Sequence, residues 1–141
     1  MIACCNESLD NGNVTYTAFV EPSMQDTDGL KGNVAALITM VEGQQHLKAI
    51  ERFYAEDATM QENNGVPRVG LQALLDWERY SLLHWFKVIH VCKAKSVVIE
   101  GDRVAINWLF EYTDYEDHSC RLDEVAYQLW KDGKIIEERF F

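Results

Sequence analysis

Two side chains in this 141-residue sequence have the character of proton-transfer groups, Glu62 and His90. Glu62 closes the alternating run Asp57-Ala58-Thr59-Met60-Gln61-Glu62, just before the turn Asn63-Asn64-Gly65 and a few residues after the aromatic pair Phe53-Tyr54. A carboxylate at the mouth of an aromatic-walled pocket is partly desolvated. That raises its pKa toward neutrality, as a general base requires. The same spacing also fits an acid exposed beside the turn. His90 falls in the β-branched run Val88 to Ile99, opposite Lys93 and Lys95, so strand alternation aims it inward with Cys92 and Ala94. An inward imidazole either shuttles protons near neutral pH or rests in the core on one hydrogen bond.

A second group is Glu124, Gln128 and Glu138. The alternation that turns Ala126 and Trp130 inward also turns Glu124 and Gln128 inward, and the last strand brings Glu138 alongside, with Ile136 and Phe140 on its face. Buried carboxylates are costly unless paired, so a partner such as Arg139, Arg121 or His90, or a shared proton, is expected. A register slip of one residue would send the whole set to solvent. Tyr54, Trp77, Tyr80 and Trp108 are read as lining the same pocket. Aromatic residues, Trp85 among them, also serve as ordinary core fillers.

Several chemistries have no support. The sequence carries no glycine-rich phosphate loop, no H-E-x-x-H and no G-x-S-x-G. His46, His84, His90 and His118 lack metal-site spacing, so no metal and no cofactor is expected. Cys4, Cys5, Cys92 and Cys120 contain no C-x-x-C pair and are read as reduced thiols. A net charge of −10 repels phosphate backbones and anionic headgroups, so neither nucleic acid nor membrane is an expected partner. No apolar run approaches the roughly 18 residues that span a bilayer. Met1 to Asn6 lack a signal peptide's features, and a cytoplasmic location is the expectation.

The elements that must position these groups follow from periodicity. Residues 1–29 read as a polar leader, irregular or with an edge strand at Val14–Val20, and residues 30–141 as one domain. Apolar positions 30, 34, 37, 38 and 41 predict a helix to Glu42, with Gly43 as its stop. A second helix is predicted from Gln45 to Tyr54 and a third from Leu71 to Trp85, with a short strand at Asp57–Glu62 between them. Everything after Phe86 reads as strand: Val88 to Ile99, Val104–Thr113, Leu122–Trp130 and Lys134–Phe141, with tight turns at Gly101-Asp102 and Asp132-Gly133. Helices first and hairpin-linked strands last predict an α+β fold with a four-stranded meander.

This order resembles the nuclear transport factor 2-like superfamily, and its wording resembles SnoaL-like domains. Phe53-Tyr54-Ala55-Glu56-Asp57-Ala58 is similar to the family's aromatic pair and acidic bend after the second helix. Gly70 is similar to the glycine opening the third helix, and Asp132-Gly133-Lys134-Ile135 with Glu138-Arg139-Phe140-Phe141 to the family's ending. The resemblance covers residues 30–141. It implies a cone-shaped curved antiparallel sheet wrapped around about three N-terminal helices, a small-molecule pocket between them, and a homodimer formed through the sheet. Ketosteroid isomerase is the enzyme of closest wording, and its base would correspond to Glu62. Its oxyanion-hole Tyr and acid would fall near Ile38 and Ala126, so both donors are absent and steroid isomerisation is not implied. SnoaL-like cyclases use an acid on a late strand, ground that Asp123 or Glu124 occupies.

Three functions fit a fold that hosts many. The first is cofactor-free isomerisation, cyclisation or dehydration of an apolar carbonyl compound. The second is ligand binding without turnover. The third is a dimerisation module with a filled interior.

Overall fold

The computed structural model describes residues 27–141, so the leader strand at Val14–Val20 and the thiols of Cys4 and Cys5 lie outside the described residues. Three helices and six strands occur among them: α1 (Thr27–Glu42), α2 (His46–Phe53), β1 (Tyr54–Glu62), β2 (Arg68–Val69), α3 (Leu71–His84), β3 (Val88–Glu100), β4 (Arg103–Thr113), β5 (Ser119–Lys131) and β6 (Lys134–Phe140). No described helix is long and apolar enough to cross a membrane.

The helices sit where apolar spacing demands. Helix α2 buries His46, Ala49, Ile50 and Phe53, one stripe at i, i+3, i+4 and i+7. Helix α1 starts at Thr27, three residues before the predicted start. Its stop is built on Gln44, not Gly43. Gln44 takes the left-handed φ of +56°, while Gln45 N–H reaches back to Met40 O and Gln44 N–H to Val41 O. This is the paired closure that ends many helices, here without its usual glycine. Gly70 does take a positive φ, +95°, directly before α3, and its N–H donates to Ala58 O on β1.

The strands form one open sheet in the order β2-β1-β6-β5-β4-β3. The predicted meander accounts for β3 to β6. The sheet is antiparallel throughout except at β1 and β6, which run parallel. Because β1 enters from the helical half of the chain, no hairpin dictates its direction, and it joins the sheet between β2 and the last strand. Strand β4 shows the predicted alternation, with Val104, Ile106, Trp108 and Phe110 buried. At the β5–β6 turn, Asp132 and Gly133 both take positive φ, +50° and +75°, the form that suits the twist of a two-residue hairpin.

Bulges break the regular pairing. In β3, Ile89 pairs with Tyr112 and Val91 with Glu111, so His90 has no opposite residue; Lys95 is skipped in the same way. An extra residue on one strand bends it and strengthens the local twist. The concave face wraps the helices. Phe53, Leu74, Ala126, Trp130 and Ile135 are buried between the layers. Each large apolar side chain so buried contributes about 1.5–3 kcal/mol.

Candidate functional site

Between the helices and the inner face of the sheet lies a cavity of about 510 Å³. Its walls are largely apolar: Leu37, Ile50 and Met60, with Trp77, Trp85 and Phe86 from α3 and the segment after it, and Trp108 and Phe110 from β4. Four carboxylates from four elements face this space, Glu62 of β1, Glu78 of α3, Glu124 of β5 and Glu138 of β6. No Lys or Arg lines it among the described residues.

Glu138 lies deepest. Cross-strand pairing sets it beside Gln128 on β5 and Met60 on β1. Tyr54 donates its hydroxyl hydrogen to Glu138 Oε2, Gln128 Nε2 donates to Oε1 at 2.7 Å, and Trp130 Nε1 donates to Gln128 Oε1 at 2.9 Å. The chain of four side chains crosses three strands and satisfies a fully buried acid without any cation. Burial pushes Glu138 up to about 7, partly opposed by the two donated hydrogen bonds, while the Glu62 charge adds to the rise. Burial and the Glu138 charge together hold the Tyr54 phenol well above its usual range.

Glu78 projects from α3, and its Oε1 lies 3.4 Å from His46 Nδ1 at the start of α2. Burial pushes Glu78 up to about 7, with Glu138 and Glu62 adding repulsion. Burial lowers the His46 pKa, favouring the neutral ring, and Nε2 of that ring is buried with no hydrogen-bond partner. Glu124 is also pushed up to about 7, by burial first and then by Glu62, Glu138 and Glu78. Glu62 stands at the rim, its side chain 45% exposed and 3.9 Å from Arg68, whose guanidinium lies 3.5 Å from the centre of the Trp77 ring.

Tyr54, Glu62, Trp77, Trp108, Glu124, Gln128 and Glu138, all singled out from the sequence, meet around this cavity. His90 does not. As the extra residue of the first β3 bulge, it is turned outward to solvent, where its Nε2 meets Thr113 Oγ1 at 2.8 Å. Ile89 takes the inward place instead. Tyr80 is also outside, 47% exposed and stacked on Trp77 and His84, because α3 turns Trp77 and Glu78 to the cavity. On β6 the pairing shifts between Leu129 and Trp130, so Ile135, not Ile136, fills the core in line with Glu138. The Arg or His partner expected for the buried acids is replaced by Tyr54 and Gln128. Asp123 also borders the cavity, but its carboxylate is bonded to Lys95 and Asn107, which leaves Glu124 as the late-strand acid with an open carboxyl there.

Sequence reasoning passed over His46 and Glu78. Both carried a signal. His46 is the first position of the α2 stripe 46, 49, 50, 53, and Glu78 falls four residues after the buried Leu74. A polar residue on an otherwise buried helical face has a polar task.

An open, curved sheet folded over helices, with acids and aromatics around the enclosed space, defines the architecture of the nuclear transport factor 2-like, or cystatin-like, α+β domains. Within that class the chain belongs to the SnoaL-like domain family, whose model matches residues 34–138. Among solved structures it is similar to a SnoaL-like protein of Mesorhizobium loti at 22% identity, with TM-score 0.69 and 84% of this chain and 99% of that one covered. A nuclear transport factor 2-like protein of unknown function from Burkholderia pseudomallei shares 12% identity at TM-score 0.70, covering 80% and 89%. A protein with the ketosteroid isomerase-like fold from Catenulispora acidiphila, solved in complex with trimethylamine, shares 14% at TM-score 0.64, covering 77% and 83%. Comparison with functionally curated proteins gave no match.

Proposed function

We propose that this domain takes a small, mainly apolar organic molecule into its cavity and moves protons on it without a cofactor. The observation that carries the reading is the pair Glu78 and Glu124, two carboxyl groups near pKa 7 facing one aromatic-walled space. A group with its midpoint near the working pH can both take and return a proton at useful rates. Glu78 has His46 beside it to steady either protonation state. Proton removal from a carbon next to a carbonyl, followed by return elsewhere, would give isomerisation, cyclisation or dehydration. A cavity of about 510 Å³ is of the size that small-molecule sites use. The trimethylamine complex of the Catenulispora relative supports a small molecule as the kind of partner.

The test is hydrogen–deuterium exchange into a panel of enolisable apolar ketones in D2O, followed by NMR, with the native protein and with Glu78→Gln and Glu124→Gln. Exchange above the buffer rate that drops at least tenfold in either variant supports the proposal. Exchange at the buffer rate throughout, while native mass spectrometry still finds a retained small molecule, would leave a binding domain without turnover.

A further inference from the structure

We infer that the occupant of this cavity is an organic cation, a protonated or quaternary amine carried on a hydrocarbon body. The inference rests on the reading of the cavity as a small-molecule site and adds the ligand's charge to it. The evidence is which polar groups of the wall the protein satisfies itself and which it leaves open.

Both oxygens of Glu138 are occupied, by Tyr54 and Gln128. Glu62 has the Arg68 charge 3.9 Å away at the rim, too far for a hydrogen bond, so the buried Nη1 of Arg68 has no acceptor. Glu78 has only the edge of His46, and Glu124 has neither a hydrogen bond nor an ion pair with any described residue. His46 is nine-tenths buried, and its Nε2 has no partner. When Glu78 is ionised and Nδ1 of the neutral ring donates to it, Nε2 presents a lone pair. In their charged forms the acids left open are acceptors only, so a ligand that holds them charged must donate or carry positive charge.

Charge narrows the class. An anion entering the space meets four carboxyl groups and no cation in the wall, and a neutral ligand leaves an ionised Glu124 without a counter-charge. An ammonium supplies hydrogen-bond donors where it carries them, and the opposite charge in every case. Carboxylates that are costly to bury alone become favourable beside it. Trp108, Trp85 and Phe110 line the remaining sides, and aromatic rings attract positive charge within about 6 Å of the centroid. A bare metal ion fits poorly, because no three His, Cys, Asp or Glu side chains among the described residues are placed to hold one. Acids spread around an apolar hollow match a diffuse cation with a carbon frame.

Proton linkage gives the readout. The groups facing the ammonium are Glu62, Glu78, Glu124, Glu138 and His46, with Tyr54 and Tyr112 on the same wall and Arg68 behind the rim. Carboxyl groups that hold protons near neutral pH give them up when a positive charge arrives. A neutral apolar ligand dries the same groups further and makes them take protons up.

The experiment is calorimetry on the full chain at pH 7 with three ligands of one skeleton, 3-phenylpropylamine, 3-phenylpropanol and 3-phenylpropanoate, in two buffers of different ionisation enthalpy. The amine is expected to bind at least tenfold tighter than the alcohol and to release protons, while the carboxylate does not bind. Glu124→Gln should lose at least tenfold in amine affinity and far less in alcohol affinity, with a native far-ultraviolet circular dichroism spectrum reporting that the variant is folded. Alcohol binding as tight as the amine, any tighter binding of the carboxylate, or proton uptake with the amine would overturn the charge assignment while leaving the small-molecule site intact. Failure of all three ligands also overturns it; the small-molecule reading falls with it only if extraction of the native protein yields no small molecule.

Discussion

Replacing Glu138 by Gln should change stability in opposite directions in acid and at neutral to alkaline pH. Below its ordinary midpoint of 4.5 the carboxyl is protonated in both the folded and unfolded chain, so no charge is buried. Above about 7 the folded protein must hold a carboxylate out of water, while the unfolded chain hydrates it. Stability tied to Glu138 is therefore full below the ordinary midpoint and lost progressively as pH climbs from 4.5 to about 7. A midpoint moved from 4.5 to about 7 corresponds to on the order of 3 kcal/mol by pH 8. Gln removes that loss but offers one oxygen where the carboxylate offers two. Tyr54 or Gln128 then loses an acceptor, at a cost of about 1 kcal/mol. Glu138→Gln should thus be about 1 kcal/mol less stable than the native protein at pH 4 and on the order of 2 kcal/mol more stable at pH 8. Urea unfolding of both proteins at the two pH values measures this directly. A variant destabilised equally at both would show that the acid is not held against burial, and the account of the Tyr54–Glu138–Gln128 chain would fail.

Two further outcomes follow from the placement of side chains away from that chain. His90→Ala should change stability by no more than about 0.5 kcal/mol and leave ligand affinity unchanged, because its ring is exposed and bonded only to Thr113; a tenfold loss of affinity would put His90 back in the site. The Cys92 thiol, pushed up to about 12 by burial and by Glu42, Glu78 and Glu124, should resist iodoacetamide at pH 8 in the native protein and react once urea unfolds it, as read by peptide mapping. Equal labelling in both conditions would contradict the burial.

The pattern of β4 was legible because period-two alternation needs nothing beyond the strand itself, and Asp132-Gly133 announced its hairpin by residue type alone. The same alternation placed Glu124 and Gln128 correctly, since β4 and β5 pair without a break from Arg103 to Thr113. It failed at His90 and at Ile136, where one strand carries an extra residue. A bulge is decided by the fit of one strand to its neighbour and the helices beneath, and no local residue preference in Val88 to Ile99 reveals it. The parallel seam between β1 and β6 was hidden for the same reason: its partners are far apart in the chain. His46 and Glu78 were within reach of helical periodicity, but the apolar residues of each helix were read first and the polar members of the stripe were passed over.

The latest-made strand in this sequence is not at the rim of the sheet. β6 lies inside it, between β1 and β5, and supplies the acid to which Tyr54 and Gln128 are bonded. During synthesis the helical half and the β3–β5 hairpins can each emerge and touch where α1 meets β3, yet no strand ladder joins β1 to β5 until residues 134–140 have left the ribosome. A nascent chain stalled short of that point carries two unmatched strand edges and an open apolar hollow, surfaces on which chaperones and aggregation compete. The wall of the cavity and the commitment to fold are thus completed by the same short stretch of polypeptide.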